Sequence, residues 1–301
     1  MYNSRTRICM DIQSFYETGT GTWSYLLADP ERRLAAIIDP VWVFDPVSGQ
    51  TSEVALDPLL EAAKRRGYTV QWVLETHAHA DHLSAAGRIR QLTGAQIACS
   101  RGICQVQRNF ARVFNLTGVD VDGSQFDRLL AEGDRIQLGG LEIQVMETPG
   151  HTADSLTYRV GDAAFVGDTL FAPTYGTARC DFPGGDAGQL YDSVRRICAL
   201  PPQTRLFLCH DYPKQGDEPV ATVTVAQTRA ENIHIHDGVA RADFVAMRER
   251  RDSELGMPKL ILPSLQVNIL AGTLPPAEMN GVHYLKIPVN QQIQALIGEQ
   301  Q

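Results

Sequence analysis

The sequence predicts an α+β protein in which two β-sheets face each other and helices cover their outer surfaces. Short apolar runs rich in branched and aromatic residues recur along the chain, each bounded by Gly, Pro or Asp. Single segments with helical spacing separate some of these runs, and this grouping favours layered sheets. A chain of 301 residues that is 44% hydrophobic can bury such a core, which excludes disorder as its main state.

Seven runs of five to seven residues predict the strands. They are TWSYLLA (22–28), LAAIID (34–39), VQWVL (70–74), LEIQVME (141–147), LTYRV (156–160), AAFVGD (163–168) and RLFLC (205–209). Branched and aromatic side chains fit a pleated, half-buried surface, which is why these runs favour strands over helices.

Three segments predict helices. DPLLEAAKRRG (57–67) begins with Asp57 as the expected N-cap, has Pro58 at the first helical position and stops at Gly67. The residues after His82, through Leu92, and the segment 186–200 have the same spacing.

The predicted organisation is one domain over residues 1–240 and a C-terminal extension over 241–301. The extension begins with a charged helical segment, ARADFVAMRERRDSELG, and continues as a stretch rich in Pro and Gly. Its apolar residues need cover but are too few for a separate core, so we expect it to pack on the main domain. Residues 101–131 are less regular and predict a helical excursion.

Charge and cysteine usage exclude several classes of protein. Lys and Arg number 27 against 35 acidic residues, and no basic run is dense enough to follow a nucleic-acid backbone. No stretch reaches about 18 uninterrupted apolar residues, and the first residues lack the apolar region of a signal peptide. The six cysteines show no CxxC pairing, which argues against a disulfide framework or a thiolate zinc site. We therefore expect a cytoplasmic protein with reduced thiols that binds neither nucleic acid nor membrane.

The segment THAHADH carries the strongest chemical signal. It directly follows the predicted strand VQWVL and places His77, His79, Asp81 and His82 within six positions. Sheet proteins place ligands in loops at strand ends. Because neutral imidazole is the commonest protein ligand for metals such as zinc and iron, the cluster predicts a metal site. A surface histidine cluster is the alternative interpretation.

Three later motifs strengthen the metal-site prediction. Pro149 and Gly150 make a turn that presents His151 in ETPGHTADS, Asp168 follows a strand in AFVGDTLF, and His210 follows a strand in FLCHDY. Each motif is weak alone, but their order after THAHADH makes a strong combined signal.

These motifs resemble those of the metallo-β-lactamase superfamily over about residues 20–215. The resemblance implies an αββα sandwich of two facing β-sheets with outer helices, with the C-terminal extension added to it. In dinuclear members such as the glyoxalase II-type thioester hydrolases, the corresponding first metal site is His77, His79 and His151. The second is Asp81, His82 and His210, and Asp168 bridges the two metals. All seven positions are filled here.

Other stretches resemble the persulfide dioxygenase branch of the superfamily, in its longer bacterial form. They are TWSYLLAD, AAIIDPV, PGHTADS, and GDTLF followed by TARCDF. The resemblance implies one Fe(II) per chain held by His77, His151 and Asp168, with His79, Asp81, His82 and His210 supporting the ligands. Two histidines and a carboxylate leave up to three iron positions open, as in non-haem oxygenases. The implied reaction converts glutathione persulfide and O2 into sulfite and glutathione, and the resemblance is compatible with a homodimer.

Several other residues have two interpretations. Arg179, on the loop after Asp168, is a candidate to bind a substrate carboxylate, and an ion pair with Asp181 or Asp186 is the alternative. Tyr175 and Tyr212 are weaker candidates for the pocket, since tyrosine more often packs with its hydroxyl bonded to backbone. We expect Cys180 to have no catalytic role. We also expect the histidines outside the motifs, His234, His236 and His283, to be solvated or to cap backbone groups.

Three functional hypotheses stay open on sequence grounds. The first is the iron persulfide dioxygenase, favoured by the whole series of motifs. The second is a dinuclear hydrolase that uses a metal-bound hydroxide, favoured by the complete set of seven ligands. The third is a sulfur carrier that has lost catalysis.

Overall fold

The computed structural model describes residues 9–291, which form two six-stranded sheets, a small three-stranded sheet and seven α-helices. The strands are β1 (Asp11–Glu17), β2 (Thr22–Asp29), β3 (Leu34–Ile38), β4 (Val41–Asp45), β5 (Gln50–Ser52), β6 (Thr69–Leu74), β7 (Leu83–Ser84), β8 (Gln96–Ser100), β9 (Arg128–Leu130), β10 (Arg135–Leu138), β11 (Leu141–Glu147), β12 (Leu156–Val160), β13 (Ala163–Phe165), β14 (Arg205–Phe207) and β15 (Thr222–Thr224). The helices are α1 (Asp57–Arg66), α2 (Ala86–Thr93), α3 (Ile103–Val113), α4 (Ala187–Cys198), α5 (Val225–Glu231), α6 (Arg241–Asp252) and α7 (Ile261–Asn268).

The first large sheet has the order β1-β2-β3-β6-β8-β9, and the second has the order β10-β11-β12-β13-β14-β15. The small sheet, β5-β4-β7, lies beside them. In the first sheet β3, β6, β8 and β9 are parallel neighbours. Because parallel strands end at the same edge, the residues that follow β3 and β6 meet there, and these include the first motif.

Three apolar layers hold the sheets and helices together, which confirms the predicted αββα sandwich. The central layer lies between the sheets and includes Leu27, Ile38, Val145, Tyr158 and Phe165, all almost fully buried. Each such side chain contributes about 1.5 to 3 kcal/mol by leaving water. The outer face of the first sheet is covered by α1, α2, α3 and α7. The outer face of the second is covered by α4, α5 and α6.

The predicted strands are present, with three of them shorter than expected, and the run 34–39 ends one residue early, at Ile38. The run 163–168 is a strand only to Phe165, and Gly167–Thr169 then forms a short 3-10 helix that contains Asp168. The run 205–209 is a strand only to Phe207. Both strands therefore stop before the residues that carry polar chemistry.

Two sequence predictions about local structure are wrong in detail. Asp57 is not the N-cap of α1: Leu56 occupies that position without a side-chain bond, and Asp57 is the first helical residue. Gly67 does end the helix in the left-handed region, as predicted. The excursion at 101–131 contains the helix α3, but it returns as β9, which pairs with β8 and so belongs to the first sheet.

The C-terminal extension divides between the two outer layers. Phe244 of α6 packs in the layer outside the second sheet, beside α4, whereas Ile261 and Leu265 of α7 pack outside the first. The predicted boundary near residue 240 stays a prediction. Within residues 9–291, no helix has the length and apolar character needed to cross a membrane.

Candidate metal centre

The predicted metal-binding motifs meet at one edge of the sandwich. The residues His77, His79, Asp81 and His82 follow β6, His151 follows β11, Asp168 follows β13, and His210 follows β14. Gly150, before His151, has φ of +137°, and a Cβ on it would lie 2.2 Å from the backbone nitrogen of Leu190. The turn that presents His151 therefore requires glycine.

Three of these residues, here called the first group, offer ligand atoms to a common point. One atom each from His77, His151 and Asp168 lie within 4.8 Å of one another, and all three residues are buried. The Nε2 atoms of His77 and His151 lie 3.8 and 3.6 Å from Asp168 Oδ2. These separations are too long for hydrogen bonds. They suit atoms that surround one ion at about 2.1 Å.

Hydrogen bonds fix the tautomers of both imidazoles in the first group. His77 Nδ1 lies 3.0 Å from the Thr76 hydroxyl, whose proton is donated to Asp39 at 2.9 Å. The hydroxyl can therefore only accept from His77. His151 Nδ1 lies 2.7 Å from the carbonyl oxygen of Arg179, which also only accepts. Both rings thus carry hydrogen on Nδ1 and direct the Nε2 lone pair at the common point, as metal-binding histidines do.

The remaining four residues, His79, Asp81, His82 and His210, form the second group. Their ligand atoms also lie within 4.8 Å of one another. His210 Nε2 lies 2.9 Å from Asp81 Oδ2 and 3.4 Å from Asp168 Oδ1. Burial disfavours a charged imidazole, but the two carboxylates outweigh burial and raise the pKa of His210 to about 10. The second group therefore balances part of its charge internally.

His79 shares ligand-atom distances with the second group, and its ring also lies 4.0 Å from that of His77. Its Nε2 faces Asp39 Oδ1 at 3.1 Å and Glu75 Oε2 at 3.6 Å. Because a carboxylate accepts the Nε2 hydrogen, the lone pair lies on Nδ1, which has no hydrogen-bond partner. Asp39 also accepts hydrogen bonds from the backbone N–H and the hydroxyl of Thr76, the residue that orients His77. Asp39 therefore connects His79 to His77.

The unpartnered buried atoms indicate that these residues fit metal ions. Among the described residues, the buried atoms without a hydrogen bond include Nε2 of His77, Nδ1 of His79 and Nε2 of His82. An unsatisfied buried polar atom costs about 1 to 3 kcal/mol, a cost that a bound cation removes. Burial, and then a neighbouring imidazole, lowers the pKa of both His77 and His79 and keeps them in the neutral form that metals bind.

A cavity of about 800 Å³ opens onto the metal-binding residues. Asp81, His82, His151 and Asp168 form its floor. Trp42, Val43 and Phe44 of β4 contribute an apolar wall, and Leu255, Pro258 and Leu260 from the extension face the same space. A cavity of this size suits a small-molecule substrate. The extension thus lines the cavity, whereas residues 101–131 do not.

Two cations of the extension, Arg251 and Lys259, line the cavity and are here called the cationic rim. Within the described part of the chain, their side chains have no hydrogen-bond or ion-pair partner. Two other arginines at the cavity are already paired: Arg248 bonds the buried Asp252, and Arg179 bonds Asp181. The rim therefore leaves two positive charges available to an anionic ligand.

The candidates on the loop after Asp168 line the cavity but are partly engaged. Arg179 makes a two-atom ion pair with Asp181 and donates to the carbonyl oxygen of Gly256, so the ion-pair alternative describes its side chain here. Tyr175 donates to the carbonyl oxygen of Tyr212, and the Tyr212 ring stacks on His210. The roles of Arg179 and Tyr175 in catalysis stay predictions.

His234 lies at the cavity, although its sequence context predicts only a solvated or backbone-capping histidine. It is buried and lines the cavity, and its Nδ1 accepts from the backbone N–H of Thr177 at 3.0 Å. Burial, and then Arg248 and Arg251, lowers the pKa of His234 to about 4. The expectation that it caps backbone is confirmed, but the segment HIH gave no sign of its burial at the cavity. His236 and His283 bond backbone carbonyls, as expected.

The cysteines are free among the described residues, and Cys180 is buried. Burial raises the pKa of the Cys180 thiol well above its ordinary value, so the reactive thiolate is disfavoured. This agrees with the expectation that Cys180 has no catalytic role.

Comparison with known proteins gives one family and several informative relatives. The family model of the metallo-beta-lactamase superfamily matches residues 18–210. A "probable metallo-hydrolase" of Burkholderia pseudomallei is 50% identical and covers 93% of this chain and 99% of its own. The mitochondrial persulfide dioxygenase ETHE1 of Homo sapiens is 31% identical over 67% of this chain and 68% of its own. The crystal structure of ETHE1 from Myxococcus xanthus superposes with a TM-score of 0.70 at 30% identity, covering 87% of this chain and 99% of that one.

Proposed function

The chain is an enzyme of the metallo-β-lactamase superfamily, and we propose that it acts as a persulfide dioxygenase. In this proposal one Fe(II) is held by His77, His151 and Asp168, and the substrates are glutathione persulfide and O2. The observation that carries the proposal is the first group itself: two histidines and one carboxylate whose ligand atoms lie within 4.8 Å of one another. That set is the one used by non-haem Fe(II) oxygenases. The likeness to ETHE1 supports it further.

The overall reaction converts glutathione persulfide, O2 and water into glutathione, sulfite and two protons. The terminal sulfur is oxidised, O2 is reduced, and the sulfur–sulfur bond breaks. When bound, Fe(II) supplies the redox chemistry that joins dioxygen to sulfur. The chain itself holds the ligands, orients the substrate and shapes the cavity.

The residues around the cavity have separate roles in this proposal. Thr76 and the carbonyl of Arg179 keep the two imidazole lone pairs directed at the iron position. The apolar wall of β4 and the facing residues of the extension limit water near the reacting sulfur. The cationic rim, Arg251 and Lys259, binds the carboxylates of glutathione. Arg179 would bind a substrate carboxylate only after leaving its ion pair with Asp181. Tyr175 lines the cavity.

The proposal is tested by metal analysis combined with oxygen uptake. Protein purified without oxygen and loaded with Fe(II) should contain about one iron per chain. It should consume O2 only when glutathione persulfide is present, with sulfite formed in step with the O2 consumed. Absence of persulfide-dependent oxygen uptake in iron-loaded protein would overturn it.

A second candidate is a dinuclear thioester hydrolase. The second group favours it, because His79, Asp81, His82 and His210 also bring their ligand atoms within 4.8 Å of one another. The 50% sequence identity to the "probable metallo-hydrolase" of Burkholderia pseudomallei also supports this candidate. Such an enzyme would bind two metal ions and hydrolyse S-lactoylglutathione. If Asp81→Ala and His210→Ala leave the metal content unchanged, this candidate fails.

A further inference from the structure

The metal-binding loop after β6 is held by a side chain of the C-terminal extension. Asn268, the last residue of α7, is 6% exposed. Its amide donates to the carbonyl oxygens of His79 and His82, each at 2.8 Å, and accepts from the backbone N–H of Ser84 at 2.7 Å. A primary amide offers two donor hydrogens and an acceptor oxygen. Asn268 therefore uses both of its hydrogens and its oxygen on this one loop.

These bonds act on the backbone of the loop that carries His77, an iron ligand in the proposed function, together with His79, Asp81 and His82. His79 and His82 are fully buried and enclose Asp81 between them. A buried carbonyl that loses its partner is unfavourable, so the bonds to Asn268 hold the loop on this backbone path. Because His77 lies two residues before His79 on the same loop, this path also sets where His77 presents its imidazole to His151 and Asp168. On the far side of the loop, Asp39 holds the His79 ring at 3.1 Å.

Close backbone contacts also hold the end of α7 against the metal-binding loop. Gly272, with φ of +70°, would place a Cβ 2.7 Å from the carbonyl oxygen of Ser84. A Cβ on Gly87, at the start of α2, would lie 2.6 Å from the carbonyl oxygen of Gly272. Ile261, Leu265 and Ile269 anchor the helix in the layer outside the first sheet. The position of Asn268 relative to the loop is therefore fixed.

Gln266, two residues earlier on the same helix, provides an internal comparison. It is also fully buried and also makes three hydrogen bonds. Its amide donates to the carbonyl oxygens of Leu262 and Lys286 at 2.8 and 2.9 Å, and it accepts from the N–H of Lys286 at 2.8 Å. All of these partners belong to the extension. Gln266 thus holds the extension to itself, whereas Asn268 holds it to the metal loop.

We propose that Asn268 is a positioning residue of the metal centre, which makes the extension a structural part of that centre as well as a lining of the cavity. The inference rests on the metal centre of the proposed function, but not on the identity of the metal or on the reaction. It adds a residue outside the metal-binding motifs to the set that controls metal binding. Outer partners of metal ligands are known to change metal affinity by about tenfold to a hundredfold.

The test compares Asn268→Asp with Gln266→Glu in the full chain. Both changes keep the size of the side chain and remove its two amide donors. In Asn268→Asp the new oxygen faces the carbonyls of His79 and His82. Affinity for Fe(II) and for Zn(II) is measured by chelator competition, and thermal unfolding is measured with the metal-free protein. We expect Asn268→Asp to weaken metal binding about tenfold or more, with Gln266→Glu within about twofold of the unchanged chain. The two variants should lose similar stability without metal.

The outcomes separate this inference from the proposed function. If the unchanged chain binds no metal, the proposed function and this inference both fail. If it binds metal and Asn268→Asp has the same affinity, or Gln266→Glu weakens binding equally, the inference is overturned. Should Asn268→Asp fold poorly, Asn268→Ala and Gln266→Ala form the second pair, compared by Co(II) titration and the absorption of the bound Co(II). Equal affinity in that pair contradicts the inference in the same way.

Discussion

The first and second groups contain the same kinds of residues, but their surroundings differ. In the first group, Thr76 and the carbonyl of Arg179 accept the Nδ1 hydrogens, and both Nε2 lone pairs point at one carboxylate. In the second, Asp81 and His210 pair with each other, and His79 is bonded behind the site to Asp39. The hydrogen-bond partners of a candidate ligand therefore decide whether its lone pair is free and correctly oriented to bind a metal.

The largest difference in iron affinity is expected when one residue is removed from each group. His77→Ala removes a member of the complete first group. We expect it to reduce Fe(II) affinity by well over 100-fold and to abolish oxygen uptake, since about 100-fold is already the upper effect of outer partners. Asp81→Ala removes a member of the second group and should retain most of its iron. Metal content after desalting measures both variants, and equal loss of iron in the two would contradict the distinction.

A smaller effect is expected from the partner that orients His77. Thr76→Val removes the hydroxyl that accepts from His77 Nδ1 and donates to Asp39, at nearly constant volume. Iron affinity should fall about tenfold to a hundredfold, because the tautomer of His77 is no longer fixed. Thr76→Ser keeps the hydroxyl and is the matched control. Chelator competition checks both, and an unchanged affinity in Thr76→Val would show that the tautomer is set elsewhere.

The cationic rim should affect the substrate and not the metal. Arg251→Gln and Lys259→Gln each remove an unpaired charge at the cavity. We expect each change to raise KM for glutathione persulfide about threefold to tenfold, which is equivalent to about 1 kcal/mol of binding free energy. The kcat and the iron content should stay constant. Arg250→Gln removes a neighbouring charge that does not line the cavity. Steady-state oxygen uptake at low and high salt measures the effect. A fall in kcat without a change in KM would remove the rim from substrate binding.

The smallest effect concerns pH and His234. The folded pKa of about 4 lies below the ordinary value near 6.5. Between these values the unfolded chain binds a proton that the folded chain does not, so stability falls as the pH falls from about 6.5 to about 4. His234→Asn keeps an acceptor for Thr177 and removes the titration. Its acid-induced loss of stability should be smaller by on the order of 1 kcal/mol, after allowing for solvent screening. Urea unfolding at pH 7 and at pH 4.5 measures this, and an identical pH dependence in both proteins would contradict it.

The meeting of the candidate ligands could be predicted from the sequence because each follows the end of a strand. His77, His151, Asp168 and His210 needed only a local pattern and the sheet edge on which such loops meet. The position of His79 could not be predicted in this way, because its partner Asp39 follows a different strand. One signal was available: Asp39 follows β3, and β3 is the parallel neighbour of β6, so both strand ends share an edge.

The extension was the least predictable region. Arg251, Lys259 and Asn268 belong to no motif, and their places depend on how α6 and α7 divide between the two outer layers. The one local sign was the apolar helix LILPSLQVNIL, which contains two amides, Gln266 and Asn268. Buried amides must be hydrogen-bonded, so their presence in such a helix indicates specific backbone partners.

The most direct test of the distinction between the groups is crystallography of the iron-loaded chain, with anomalous diffraction recorded at the iron edge. We expect one iron peak per chain, bounded by Nε2 of His77, Nε2 of His151 and a carboxylate oxygen of Asp168. A second peak of comparable occupancy among Asp81, His82 and His210, or a single peak bound by His79, would contradict it.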